Sequence, residues 1–124
     1  MRIVLAEREA EIMEVLWDRG PSTVSEVKEA VPDELAYTTV LTMLRKLEAK
    51  KYVGHATEGK AHRYKALVER EAARSSALRD LAAKFFKGSA GLLMTQLVSD
   101  HKLSDEELKR IRKLLNRQAR KERE

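Results

Sequence analysis

The sequence predicts a mainly α-helical protein in which a winged helix-turn-helix is followed by a helical segment. Apolar residues recur at helical spacing through most of the chain. Two short β-prone runs, joined by a tip that contains glycine, interrupt this pattern after the third predicted helix. Three helices plus a small β-hairpin wing is the element order of a winged helix-turn-helix. We therefore expect a front domain over residues 1–68 and a helical rear domain over residues 69–124.

The first two helices are predicted from apolar periodicity and from capping residues. Residues 7–18 form an amphipathic pattern, which Gly20-Pro21 then ends. Trp17 lies on this pattern, so we interpret it as a core residue and not as a platform for base stacking. Residues 23–26 have the form of a capping box, so a second short helix begins there and ends near Pro32.

The third helix, predicted over about residues 37–51, has two contrasting faces. Its inward face is apolar and consists of Val40, Leu44 and Leu47. Its outward face is small, polar and basic, and consists of Thr38, Thr42 and Arg45, with Thr39 and Lys46 at its border. A solvated surface is the plain alternative. Small side chains beside cations, on the last helix before a hairpin, favour a recognition helix that enters the DNA major groove.

The hairpin is predicted from residues 52–56 and 62–67, with Glu58-Gly59-Lys60 at the tip. Lys60 and Arg63 make it basic. Such residues protect an edge strand against aggregation, and they also suit a wing that lies along the phosphate backbone. Both interpretations hold together.

The distribution of charge supports an anionic partner. Residues 1–44 carry four Lys or Arg against nine Asp or Glu, whereas residues 45–65 carry seven against two. A basic block behind an acidic one exceeds what a solvated surface requires, and a polyphosphate backbone is its commonest partner. The sequence therefore favours double-stranded DNA. A winged-helix module that binds only proteins is the alternative, but the outward face of the third helix lacks the bulky apolar patch that it would need.

Metal, cofactor and catalytic sites are not expected. The absence of cysteine excludes disulfides, thiolate metal sites and cysteine nucleophiles. His55 and His62 lie on the two hairpin strands and could pair on a metal, but no third ligand is near in sequence, so packing or phosphate contact is favoured. No P-loop, G-x-S-x-G or H-E-x-x-H motif occurs, so we expect no enzyme. No apolar run of eighteen residues and no signal-peptide pattern occurs, so we expect no membrane contact and a cytoplasmic location.

The rear domain is predicted to be entirely helical. Its helices cover residues 69–86 and 90–98 and a last segment that a second capping box opens at Ser104. The end of that segment, residues 117–124, is highly charged and expected to fray. Three amphipathic helices cannot bury their apolar stripes within one small subunit, so two copies of the chain are expected to pair.

Four segments resemble the penicillinase-repressor (BlaI/MecI/CopY) family of transcriptional regulators. They are Glu7–Trp17 for its first helix, Leu35–Leu47 for its recognition helix, Ala61–Tyr64 for its wing and Leu103–Glu107 for the start of its last helix. The resemblance spans nearly the whole chain and keeps the order of elements. Where the family commonly has threonine at the first helix cap, this chain has Ala6, so a weaker cap is expected.

The resemblance implies a sequence-specific repressor that binds a palindromic operator as a homodimer. The implied DNA contacts are Thr38, Thr39, Thr42, Arg45 and Lys46 in the groove, and Lys60 and Arg63 on the wing. The implied dimer interface consists of Leu78, Leu81, Phe85, Leu93, Leu97, Leu108, Ile111 and Leu115. The cysteine cluster of the copper-sensing members is absent, so copper sensing is not expected.

The resemblance also bears on how the repressor is released from DNA. The antibiotic-resistance members are cleaved between asparagine and phenylalanine in the C-terminal region, where this chain has Gln96-Leu97. A protease that cuts between Leu92 and Val98 would separate the two subunits, but it would need a different specificity. A small-molecule ligand is the alternative signal, for which the short helices offer only a modest pocket.

Overall fold

The computed structural model describes residues 1–123, which form two compact units. The first unit covers Met1–Asp80, and the second begins at Leu81. The elements are α1 (Glu7–Arg19), β1 (Ser22–Thr23), α2 (Val24–Ala30), α3 (Tyr37–Ala49), β2 (Val53–Glu58), β3 (Ala61–Ala66), α4 (Arg70–Phe85), α5 (Ala90–Asp100) and α6 (Asp105–Arg123). The mainly helical winged helix-turn-helix expected from the sequence is confirmed. None of the helices within the described residues is long and apolar enough to cross a membrane.

The caps of α1 and α2 agree with the sequence. Ala6 caps α1 without a side-chain hydrogen bond, and only the Glu9 carboxylate accepts from the Ala6 amide, at 2.9 Å. At α2 the capping box is complete. The Glu26 amide donates to the Thr23 hydroxyl at 3.2 Å, and the Thr23 amide donates to the Glu26 carboxylate at 3.0 Å. Reciprocal bonds of this kind satisfy two amides that a helix start leaves free.

The wing is part of a three-stranded antiparallel sheet with the strand order β1-β3-β2. Strand β1 was not expected from the sequence, since a strand of two residues leaves no alternating pattern. It places Thr23 opposite Arg63 on β3. Strands β2 and β3 meet at a tip where Gly59 adopts a φ of +63°, the left-handed conformation that glycine allows without steric cost.

The core of the first unit lies between the three helices and the sheet. Val40, Leu44 and Leu47 of α3 are fully buried there, as their spacing predicted, together with Tyr64 of β3. Trp17 packs half-buried against this core, and its indole Nε1 donates to the Val68 carbonyl at 2.9 Å. The expectation that Trp17 is a core residue is therefore confirmed.

The first half of α4 belongs to the first compact unit. Ser76 is buried on α4, where its hydroxyl accepts from the Ile3 amide at 2.7 Å and donates to the Ile3 carbonyl at 3.2 Å. Arg70, at the start of α4, donates to carboxylates of α1 at Glu14 and Asp18. The compact unit thus extends twelve residues past the predicted boundary at residue 68, and the functional division at that boundary stays a prediction.

The second unit contains the end of α4 together with α5 and α6. Lys87 and Gly88 both adopt positive φ and end α4, after which the Ser89 hydroxyl accepts from the Leu92 amide at 3.1 Å. The capping box at Ser104 is present, since its hydroxyl and the Glu107 carboxylate each accept a backbone amide at 3.1 Å. The expected fraying from residue 117 is wrong up to Arg123, because this tail is rich in Arg, Lys, Gln, Glu and Ala, which favour helix. Glu124 lies outside the described residues.

Candidate nucleic-acid interface

The outward face of α3 is a continuous polar surface. Thr38, Thr39, Thr42, Arg45 and Lys46 are all exposed, on a helix whose opposite side is fully buried. The Thr42 hydroxyl donates to the Thr38 carbonyl at 2.8 Å. Each threonine of this face carries a methyl group and a hydroxyl oxygen that can accept a hydrogen bond. The face therefore offers a small apolar contact, a hydrogen-bond acceptor and two cations, which is the chemistry that reads base edges.

Tyr37 is an exposed aromatic residue that the sequence reasoning did not single out. It is the first residue of α3, and its side chain is 48% exposed. A single exposed aromatic residue is common on protein surfaces, so it is the place of Tyr37 beside the threonines of the polar face that makes it a candidate for DNA contact. Its position at the start of α3, one residue before Thr38, is the sequence feature from which Tyr37 could have been predicted as part of this surface.

Lys50, just after α3, is held by an acidic residue of α1. Its Nζ lies 3.0 Å from both carboxylate oxygens of Glu9, whose side chain is buried. Desolvation acts to raise the pKa of Glu9, but the Ala6 amide and Lys50 outweigh it, and the pKa is lowered. The pair ties the end of α3 to the start of α1, so Lys50 does not belong to the free basic surface.

The two wing cations predicted from the sequence lie in different environments. Lys60 is exposed at the tip of the hairpin. Arg63 donates instead to Glu58 of β2 at 2.7 Å, to Glu26 of α2 at 3.1 Å and to the Pro21 carbonyl at 3.2 Å. The hydrogen bond and charge of Glu58, followed by the charge of Glu26, raise the pKa of Arg63.

The two wing histidines stack on each other. The rings of His55 and His62 are nearly parallel, with 4.5 Å between their centroids. His55 Nδ1 also donates to the Glu48 carboxylate of α3 at 2.6 Å, which joins the root of the wing to the end of that helix. Within residues 1–123 no group of three or more histidine, cysteine or acidic side chains is arranged to hold a metal ion. The rings stack and both residues are exposed, so packing and phosphate contact both stay predictions for them.

The second unit carries many apolar side chains on its surface. Phe85 is 75% exposed, and the leucines of α5 and α6 include Leu97 at 46% and Leu115 at 51%. Leu81 is also exposed, whereas Leu93, Leu108 and Ile111 are half-buried. An apolar groove of about 360 Å³ runs between α5 and α6 and is lined mainly by Met94, Leu97, Val98, Leu103 and Ile111. In the first unit, Leu78 of α4 is 52% exposed.

Comparison with known proteins gives a match over most of the chain. The family described as "Penicillinase repressor" matches residues 5–117. The chain is 43% identical over 63 residues to the transcriptional regulator BlaI of Mycobacterium tuberculosis, an alignment that covers 48% of this chain and 46% of that protein. The chain thus spans about half the length of this relative. It is 22% identical over 115 residues to the methicillin resistance regulatory protein MecI of Mammaliicoccus sciuri, with 91% of this chain and 94% of that protein covered.

A solved structure shows the same fold. A MarR family protein from Bacillus stearothermophilus superposes with a TM-score of 0.53 at 15% identity, over 98% of this chain and 78% of that chain. This likeness supports the winged-helix architecture alone.

Proposed function

The chain belongs to the penicillinase repressor family, and on this premise we propose that it is a sequence-specific DNA-binding transcriptional repressor that acts as a homodimer on a palindromic operator. One relative is named a transcriptional regulator and the other a methicillin resistance regulatory protein. The chain is a regulator of this kind and not an enzyme.

The outward face of α3 is the observation that supports DNA recognition most strongly. Helix α3 presents the three threonines, Arg45 and Lys46 together, and the exposed ring of Tyr37 lies at its first residue. In the proposed complex α3 lies in the major groove. Arg45 donates both arms of its guanidinium to a guanine edge, while a threonine methyl contacts a thymine. Lys60 at the wing tip contacts a backbone phosphate, which adds affinity without sequence preference.

Pairing through the second unit supports the homodimer. The leucines and Phe85 that it exposes would be costly to leave in water, at about 25 cal/mol for each Å² of apolar surface. A second copy of the chain covers the same stripes by symmetry and sets two α3 helices on the two halves of a palindrome. The predicted interface residues, from Leu78 to Leu115, belong to this proposal. So does the cytoplasmic location, where the protein would meet its operator.

Release by proteolysis is a further part of the proposal. Gln96 and Leu97 lie inside α5, and both are exposed. A protease binds its substrate as an extended strand, so cleavage here requires α5 to unfold locally. Cleavage within α5 would break the segment that pairs the two subunits. The affinity for the palindrome would then fall, because each winged-helix unit would bind its half-site alone.

The test of DNA binding begins with duplexes that the wild-type protein selects from a random-sequence library. Fluorescence anisotropy then measures affinity for a selected duplex and for a scrambled one across a range of salt concentrations. We expect the affinity to fall steeply with salt, with a log–log slope of about −0.9 for each neutralised phosphate. Absence of an enriched sequence, or a binding constant that does not change with salt, would contradict the proposal.

Two matched variants separate base reading from phosphate contact. Arg45→Ala should cost about 1–3 kcal/mol on the selected duplex and should relax the preference at one position in each half-site. Lys60→Ala should weaken the selected and scrambled duplexes alike and make the salt slope shallower. If Arg45→Ala binds the selected duplex as well as wild type does, α3 is not the reading helix.

A further inference from the structure

A cluster of charges joins the wing to the helix that precedes the recognition helix. Arg63 of β3 sits at its centre, and Glu58 of β2, Glu26 of α2 and the Pro21 carbonyl surround it within 3.2 Å. Strand β1 brings these groups together, because Thr23, the cap of α2, lies directly opposite Arg63 in the sheet. The guanidinium therefore contacts both the wing, at Glu58, and the first turn of α2, at Glu26.

The charge of this cluster does not suit a phosphate. One guanidinium faces two carboxylates within hydrogen-bonding distance, and Arg19 contributes a second cation at 3.4 Å from Glu26. A phosphate that approached Arg63 would meet the carboxylates of Glu26 and Glu58 as well, and like charges at this distance repel. Lys60 is exposed at the tip of the hairpin and is the better phosphate contact.

We propose that Arg63 is a positioning residue that holds the wing against α2 at the spacing required for DNA binding, and that it is not itself a phosphate ligand. This inference rests on the proposed DNA binding. Its guanidinium is suited to the task because it donates in several directions within one rigid plane, which a lysine cannot do. Arg63 then affects DNA binding indirectly, because it fixes the position of the wing and therefore of Lys60 at its tip.

Glu26→Gln distinguishes the two roles by the sign of its effect. Glu26 Oε1 accepts from both the Thr23 amide and Arg63. A glutamine with its amide oxygen in that place keeps the capping box, while the negative charge that attracts Arg63 and Arg19 is lost. If Arg63 positions the wing, Glu26→Gln weakens DNA binding. If Arg63 binds phosphate, the same change removes one of the two carboxylate charges that repel the phosphate and strengthens binding, while Glu58 still holds the guanidinium. Glu29→Gln is the matched control, since Glu29 is an exposed carboxylate one turn further along α2.

The experiment measures affinity for the selected duplex with wild type, Glu26→Gln, Glu29→Gln, Arg63→Gln and the double variant at positions 26 and 63. We expect Glu26→Gln and Arg63→Gln each to lower the affinity roughly threefold to tenfold for a dimer with two wings, in line with partly exposed ion pairs. The double variant should bind no more weakly than Arg63→Gln, because both changes break the same link. Affinity of Glu26→Gln equal to or above that of Glu29→Gln would overturn the inference.

Hydrogen exchange on the free protein tests the same link without DNA. The amides of residues 53–66 should exchange faster in Glu26→Gln and in Arg63→Gln than in wild type or Glu29→Gln, while the exchange of α3 stays unchanged. Unaltered exchange in the hairpin would overturn the inference even if wild type binds DNA. If wild type enriches no duplex but the hairpin exchange responds as expected, the proposed function fails and the link between Arg63 and Glu26 stands.

Discussion

Replacing Ser76 with alanine removes a pair of hydrogen bonds that fastens the N-terminal segment to α4. The Ser76 hydroxyl accepts from the Ile3 amide at 2.7 Å and donates to the Ile3 carbonyl at 3.2 Å. Both residues are buried, so water cannot replace the hydroxyl. The substitution leaves the Ile3 amide without a partner, and a buried donor in that state costs about 1–3 kcal/mol.

The expected loss can be converted into a shift of the unfolding temperature. The first unit has 80 residues, and for a domain of 60–100 residues each kcal/mol lowers Tm by roughly 4–8 °C. A loss of about 2 kcal/mol thus predicts a fall of roughly 8–16 °C. Ser75→Ala is the matched control, because it gains the same helix propensity on α4 but leaves the Ile3 bonds in place.

Trp17 provides the assay for this prediction. It is the only tryptophan of the chain and lies in the first unit, half-buried and bonded to Val68. Urea unfolding followed by its fluorescence therefore reports on the unit that contains Ser76. If Ser76→Ala falls within about 0.5 kcal/mol of Ser75→Ala, the range typical of surface changes, the bonds to Ile3 do not stabilise the fold and the reasoning is refuted.

Two further predictions concern the acid limit of stability and the assembly of the chain. Because the folded state lowers the pKa of Glu9 from its ordinary value of 4.5, the stability this residue contributes is complete above that value and is lost as pH falls through the lowered pKa. Urea titrations from pH 7 to pH 3 should therefore show that Glu9→Gln is less stable than wild type at pH 7 and that the difference shrinks in acid; a constant difference would assign the effect to packing. Leu97→Asp in the full chain should convert a dimer into a monomer in sedimentation velocity, whereas Thr95→Asp, an exposed position on the same helix, should remain dimeric; a monomeric wild type would remove the basis of the proposed dimer.

The elements that the sequence predicted well are those whose signal is local. The stripe of Val40, Leu44 and Leu47 predicted both α3 and its buried face, and the capping boxes predicted where α2 and α6 begin. The end of α3 was placed two residues too late. Lys51 adopts a φ of +68°, and no glycine marks this left-handed residue in the sequence.

The parts of the site that could not be predicted depend on contacts between distant residues. Glu9 and Lys50 are 41 residues apart, and Glu26 and Arg63 are 37 apart. Each cation looks free in the sequence, because charge counts within a window cannot show which carboxylate folding brings beside it. Ser76 was missed for the same reason, since its partner Ile3 is 73 residues away.

The wing is linked to α3 at one point and to α2 at another, and in the proposed complex this has a consequence for the DNA. Glu48 of α3 accepts from His55 at the root of the wing, and Arg63 joins the wing to α2. In the proposed complex, a DNA-binding unit with both links intact would hold α3 in the groove and the wing tip on the phosphate at a set spacing. The duplex must then conform to the protein, and the energy of bending or narrowing a groove depends on the base steps that are deformed. Operator positions that no side chain touches will therefore affect affinity through the stiffness of the DNA itself.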